Sequence, residues 1–375
     1  MKFFYVFLLA LFVHLTSLNA QNCNTCDITN PIPNAGNHTF SGVVCFTSGT
    51  HTFQDVTFSD NTIICISEGA TLVILNNITS TQGHKITLEI AGDLLFNTPP
   101  QFQANLSINI GTNGSLKSGA YSGLNFHAAN ISFNGMSNTI INNGIISVQV
   151  LDFLNNNANN LVDNFDTILV SSNVNIKGAT KFRNSGYINI GQSYNNNAHS
   201  YYINCGTIKS QQGFNLGGGQ IHNTGIFDVP NGNIDLPNGS KINNYGKLTV
   251  KQGINGSNGA VIYNEGLIEL ANFQPNTTWL KGPSSNSQKG YVKIVNQITA
   301  NNSPFGPNLN ITRYTDNSFT TKSHNQNNTI TANPLFVDEN KVSRTAAAVN
   351  VTLDCENTSA CSAPMVTDIG MCPDI

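Results

Sequence analysis

Ile221-His222-Asn223-Thr224-Gly225-Ile226-Phe227-Asp228-Val229 is answered 21 residues on by Ile242-Asn243-Asn244-Tyr245-Gly246-Lys247-Leu248-Thr249-Val250. The shared Asn-x-Gly also occurs as Asn142-Asn143-Gly144, Asn184-Ser185-Gly186, Asn204-Cys205-Gly206 and Asn264-Glu265-Gly266. Steps between the asparagines are 42, 20, 19, 21 and 20 residues, and a degenerate copy, Asn164-Phe165-Asp166, splits the first into 22 and 20. A fixed period of about 20 marks a repeat architecture, in which each unit buries its apolar face against its neighbours alone. After each Gly, x-apolar-x-apolar has the period of a strand and puts Phe227 and Val229 on one face, Ile226 and Asp228 on the other. A second alternation follows a corner: Val174/Ile176, Phe214/Leu216, Ile234/Leu236. So short a unit has no room for a crossover helix, which takes about a dozen residues or more. The expected fold is all-β: a single-stranded right-handed parallel β-helix of about 20 residues per coil, each coil a strand, a corner, a second strand and a corner.

The frame defines a core. Its members are the residue two before each Asn, those four and six after it (Ser210 excepted), and Phe214, Leu216, Ile234 and Leu236. The motif residues themselves are read as architecture, because a residue repeated in every coil serves the stack. Gly supplies either positive φ or room for close backbone approach. Asn tolerates the left-handed region and can bond local backbone, and its amide can bond from coil to coil. Asn142, Asn164, Asn184, Asn204, Asn223, Asn244 and Asn264 are therefore expected to form a ladder.

Residues 1–20 read as a signal peptide, with Lys2, an apolar run from Phe3 to Leu15 broken by His14, and Leu18-Asn19-Ala20 before Gln21. The run is shorter than the roughly 18 residues a membrane span needs, and no later segment is a candidate. Cleavage near Ala20 would leave a secreted or cell-surface protein. Residues 21–40 form a lead-in or cap, 41–295 the β-helix (looser to about 135), 296–350 a C-terminal cap and irregular segment, and 351–375 a Cys-containing tail that looks like the start of a further module. Only 10% of residues are charged and the net charge is −3, so there is no basic stripe for nucleic acid or anionic membrane. A neutral surface rich in Asn, Thr, Ser and Gly suits polysaccharide or another surface protein.

Eight cysteines fit an oxidising compartment. Val43-Val44-Cys45-Phe46 and Ile63-Ile64-Cys65-Ile66 repeat at a step of 20, which puts Cys45 and Cys65 one strand spacing apart, within disulfide range. The alternative is two reduced thiols stacked in the core. Cys355, Cys361 and Cys372 allow one disulfide with one cysteine left over, and Cys205 is expected to stay unpaired.

The leader ending in Ala20-Gln21, Cys23-x-x-Cys26, the Cys45/Cys65 coils and the Asn-x-Gly coils resemble the secreted β-helix adhesin-like proteins of the Bacteroidota, flavobacteria in particular. The resemblance implies an extracellular adhesin-like rod. In that group further repeats and a C-terminal sorting domain commonly follow, and no sorting domain is recognisable here.

Parallel β-helices also house polysaccharide lyases and hydrolases, whose chemistry needs two carboxylates, or a base beside acidic groups or a cation, in neighbouring columns. The first outward column after each Gly reads Ile145, Thr167, Tyr187, Thr207, Ile226, Lys247, Leu267. The next reads Ser147, Leu169, Asn189, Lys209, Asp228, Thr249, Glu269. Acids are expected singly, without facing bases, and the best cluster, Asp228 and Asp235 with Lys247, falls on two strands. No catalytic residue, cofactor or metal is assigned. Neither column is a Thr row of the ice-binding kind, and Gly217-Gly218-Gly219 lacks the Asp of calcium-binding repeats. Phe165, Leu169, Tyr187, Ile226, Tyr245 and Leu267 are the candidate surface-binding stripe, with isolated exposed apolar residues as the plainer alternative. The expected function is a non-enzymatic adhesin-like or structural solenoid. The alternative is a β-helix lyase or hydrolase with its site in the irregular coils between about 76 and 135.

Overall fold

The computed structural model describes residues 23–33, 36–122, 125–196, 200–237, 239–257, 259–276, 279–281, 290–300, 309–313 and 335–338. The expected signal peptide at 1–20, the expected tail at 351–375 and most of the segment expected at 296–350 lie outside the described residues. The described chain is all-β, a parallel β-solenoid of about 12 turns.

Each regular coil has three strands, one more than expected. In one coil they are Gln220–Asn223, Ile226–Val229 and Asn233–Leu236. The additional strand is the stretch that ends on the motif Asn. It is only four residues long and carries a single apolar inward side chain, Ile221, so its alternation is too brief to read as a strand from sequence. Stacked through the molecule, these strands form a 13-stranded sheet from Ile28–Thr29 to Trp279–Lys281. We call it the first face. The strands after each Gly form the second face, and those of the second alternation the third. One antiparallel hairpin, Ser115–Ser122 with Asn125–Ala128, interrupts the pattern.

The predicted core is buried throughout, with no member more than 6% exposed. Ser210, the one polar residue at a core position, is also buried, and its hydroxyl donates to Gly213 O at 2.6 Å. In the earlier coils Phe102, Phe133 and Phe153 stack at ring separations of 6.1 and 5.1 Å. Further along, Tyr194 and Tyr202 share a hydrogen bond between hydroxyls, and burial pushes both phenols far above their ordinary range.

The Asn ladder is continuous. Each side-chain Nδ2 donates to the Oδ1 of the next Asn, from Asn142 to Asn264, at 2.7–2.8 Å. All seven are at most 1% exposed. The same amides also bond backbone carbonyls of the following coil, such as Asn204 to Ile226 O at 2.9 Å and Asn244 to Leu267 O at 3.1 Å. These asparagines occupy the inward end of a strand, and none of them has positive φ. The motif glycines have ordinary φ as well; their role is close approach. A Cβ on Gly206 would stand 2.1 Å from Gly186 O, and one on Gly225 2.1 Å from Gly206 O, so successive corners nest only without side chains. A second buried polar column, which the sequence reading missed, opens the first-face strands: Asn138 donates to Asn160 at 2.9 Å, Asn160 to Thr180 at 3.2 Å, and Thr180 N to Ser200 Oγ at 3.2 Å.

The cysteine pairing differs from expectation. Cys45 and Cys65 are register partners, yet Cys45 bonds Cys26 and Cys65 bonds Cys23, with Cα separations of 5.8 and 5.9 Å. Inward Val44 and Phe46 flank Cys45, so the two stacked thiols point outward. The lead-in lies over them, with Ile28–Thr29 pairing alongside Val44 and Cys45. Each thiol therefore reaches across to the lead-in instead of along its column. Cys205 is also disulfide-bonded, contrary to expectation.

Candidate functional site

The outward columns of the second face run as the sequence predicts. Ile145, Thr167, Tyr187, Thr207, Ile226, Lys247 and Leu267 are successive register partners, as are Ser147, Leu169, Asn189, Lys209, Asp228, Thr249 and Glu269. The six-residue stripe does not assemble on them. Leu169, Tyr187 and Ile226 are 36%, 39% and 41% exposed, but Thr207 separates Tyr187 from Ile226. Leu267 is only 8% exposed, and its register partner Lys247 is ion-paired with Glu269 at 3.0 Å. Phe165 and Tyr245 sit at the corner directly after the ladder Asn and are half-buried. The Tyr245 ring meets His222 at 4.9 Å and Tyr263 at 6.0 Å. Burial raises the Tyr245 phenol and lowers the His222 imidazole from their ordinary values.

Charges are more paired than expected. Lys209 faces Asp228 in register, Lys247 reaches Glu269, and on the first face Asp163 holds Arg183 in a bidentate pair that raises the guanidinium pKa. The triad Asp228, Asp235 and Lys247 is not brought together. Asp235 lies on the third face, where it accepts from Asn255 at 2.9 Å.

A groove of about 460 Å³ on the first face lies beside the Cys23–Cys65 bond. Its floor is apolar (Ile66, Ile90, Ala91, Ile110, Ile141), and Glu68, Glu89, Asn109 and Asn143 line it as well. Asn109 donates to Glu89 at 2.7 Å, and Asn113 to Glu68 at 3.1 Å. A polar cleft of about 390 Å³ on the third face is lined by Asn233, Gln252, Gly253, Asn255 and Asn272.

The chain matches no protein-family model, no curated protein and no solved structure.

The cleft belongs to a longer feature. Ser132, Asp152, Asn175, Asn195, Asn215, Asp235 and Asn255 are successive register partners on the outer side of the third face. Asn175 donates to Asp152 at 2.7 Å and Asn195 to Asn175 at 3.0 Å. The row thus presents a regular series of amide and carboxylate groups at one strand spacing, roughly 4.8 Å. The sequence signal for it was the middle residue of the second alternation, polar in every coil where the flanking pair was read as core. Among the described residues no three His, Cys, Asp or Glu side chains group to hold a metal ion, and no helix is long and apolar enough to cross a membrane.

Proposed function

We propose that this protein is a non-enzymatic extracellular β-solenoid, adhesin-like or structural, that engages polysaccharide or a surface protein along the amide row of its third face. The row carries the reading. It is a repeating set of hydrogen-bonding groups on coils whose length scarcely varies from Ser132 to Asn255, and a rigid, pre-organised surface suits a repeating polymer because little is lost on ordering it. Two disulfides in the first coils agree with an oxidising compartment. The resemblance to secreted β-helix adhesin-like proteins of the Bacteroidota supports the same class.

The second reading, a lyase or hydrolase, is favoured by one observation: the groove with Glu68 and Glu89 borders the irregular coils. The two readings part on what happens to a glycan. Purified residues 21–375 are screened against a polysaccharide panel for binding, for new reducing ends and for unsaturated ends that absorb in the ultraviolet. Binding without products, weakened by N195A/N215A in a protein that keeps its melting temperature, is the expected outcome. Turnover abolished by E68Q or E89Q would overturn it.

A further inference from the structure

The amide row of the third face has a gap at its middle. Its bonds all run one way, from a later Asn to the residue one coil earlier: Asn175 to Asp152, Asn195 to Asn175, and Asn255 to Asp235. Two successive rungs between these runs are not made. The Asn215 side chain turns along its own strand, where its Oδ1 accepts from Gly217 N at 3.0 Å, and it gives no bond to Asn195. Asp235 only accepts, so it has no hydrogen to pass back to Asn215. Among the described residues, Asn195 Oδ1, Asn215 Nδ2 and Asp235 Oδ2 therefore carry no bond to protein. Asn195 and Asp235 are exposed and stand two register steps apart, about 10 Å.

The same coil also lacks a side chain. Gly213 lies two residues before Asn215 on the same outward side, in the column Ser193, Gly213, Asn233, Gly253 and Asn272. A Cβ on Gly213 would meet nothing nearer than Asn233 O at 3.5 Å and Ser193 Oγ at 3.7 Å, so the glycine leaves open room. The column is bare again at Gly253, which lines the cleft of about 390 Å³ beside Asn255. Notch and missing rungs thus coincide on one strand, Gly213–Asn215, which buried Phe214 pins from beneath.

Resting on the row as the binding surface, we infer that its selective contact lies at Asn195, Asn215 and Asp235, and that it takes a neutral, hydroxyl-only polysaccharide and rejects polymers of uronic acids. A hydroxyl both donates and accepts, so neighbouring sugar hydroxyls can give to Asp235 and Asn195 while one accepts from the Asn215 amide. A ligand carboxylate offers acceptors alone. It would satisfy Asn215 but stand against Asp235 one coil away, and Asp152 lies further along the row. No Lys or Arg in the row or in the Gly213 column offsets that repulsion; Lys177, Lys209 and Lys251 belong to neither. The notch at Gly213 admits a group projecting from the sugar ring beside Asn215.

The test is binding of the full secreted chain, at one ionic strength, to hydroxyethyl cellulose, galactomannan and dextran against carboxymethyl cellulose, alginate and polygalacturonate. A neutral polymer should bind about tenfold or more tightly than any acidic one. Gly213→Asn fills the notch with the residue this column carries at Asn233 and Asn272, and should weaken that binding about tenfold at an unchanged melting temperature. Asp235→Asn keeps the acceptor for Asn255 and should raise binding of the acidic polymers. Neutral binding indifferent to both G213N and N215A would overturn the inference. Acidic binding as tight as neutral, and lost in N175A/N195A, would overturn it while leaving the row as the binding surface. Binding to none of the polymers would sink both.

Discussion

The same inward column is built in two ways along this molecule. From the N-terminal side it is apolar, with Phe46, Ile66, Ile90 and Ile110 as register partners; at the next step it becomes Asn142 and stays Asn to Asn264. The apolar half tolerates uneven coils: its steps are 20, 24 and 20 residues, and 32 at the junction, where the hairpin is inserted. The Asn half steps by 22, 20, 20, 19, 21 and 20. Dispersion and hydrophobic contacts are non-directional, so a side chain can slide to follow a longer coil. An amide ladder is directional, and a bond of 2.7–2.8 Å holds only while every coil returns to the same place. The evenness of the second half and its ladder are one property, and the first half replaces that constraint with aromatic packing and two disulfides.

The largest effect should come from the aromatic stack. Phe133→Ala, which removes a ring held between Phe102 and Phe153, is expected to lower stability by about 3–5 kcal/mol in denaturant unfolding. A cost below that of a ladder Asn would break the contrast. C23S/C65S, which opens a bond of sequence separation 42, should cost about 2–4 kcal/mol. In a solenoid, whose units contact only their neighbours, the loss should be local. Hydrogen exchange should speed up in Val43–Phe46 and remain unchanged in Lys241–Asn244.

Asn223→Ala should cost about 1–3 kcal/mol, because Asn204 loses its acceptor and Asn244 its donor inside the core. A variant that melts like the parent would end the ladder account. Position sharpens the point. Asn204→Ile interrupts the ladder on both sides, whereas Asn142→Ile removes only its first rung and stacks on Ile110, so melting should show the end substitution to be the milder.

The smallest effect concerns pH. Burial lowers the His222 imidazole below its ordinary 6.5, so the unfolded chain binds more protons than the folded one as pH falls below that value. Stability from this site is complete above about pH 6.5 and is lost as pH drops towards the folded pKa. Melting curves from pH 7.5 to 5.5 should fall less steeply for His222→Asn than for the parent.

Much of the fold was legible in the chain. The spacing of Asn-x-Gly set the coil, period-two alternation after Gly set the core, and recurrence of Asn at one phase set the ladder. All three are regularities along the sequence, and stacking turns them directly into neighbours in space. The structure alone decided which thiols join, because Cys45 and Cys65 share a column but face a lead-in that lies across it. It alone separated Phe165 and Tyr245 from Leu169, Tyr187 and Ile226, since a corner turns residues two or four apart onto different faces. It also brought Asn175, Asn195 and Asn215, to which the sequence analysis gives no role, into one outward row. A repeat records which residues stack. Which face another segment covers, and which thiol finds which, depends on contacts between distant parts of the chain, and no local period encodes them.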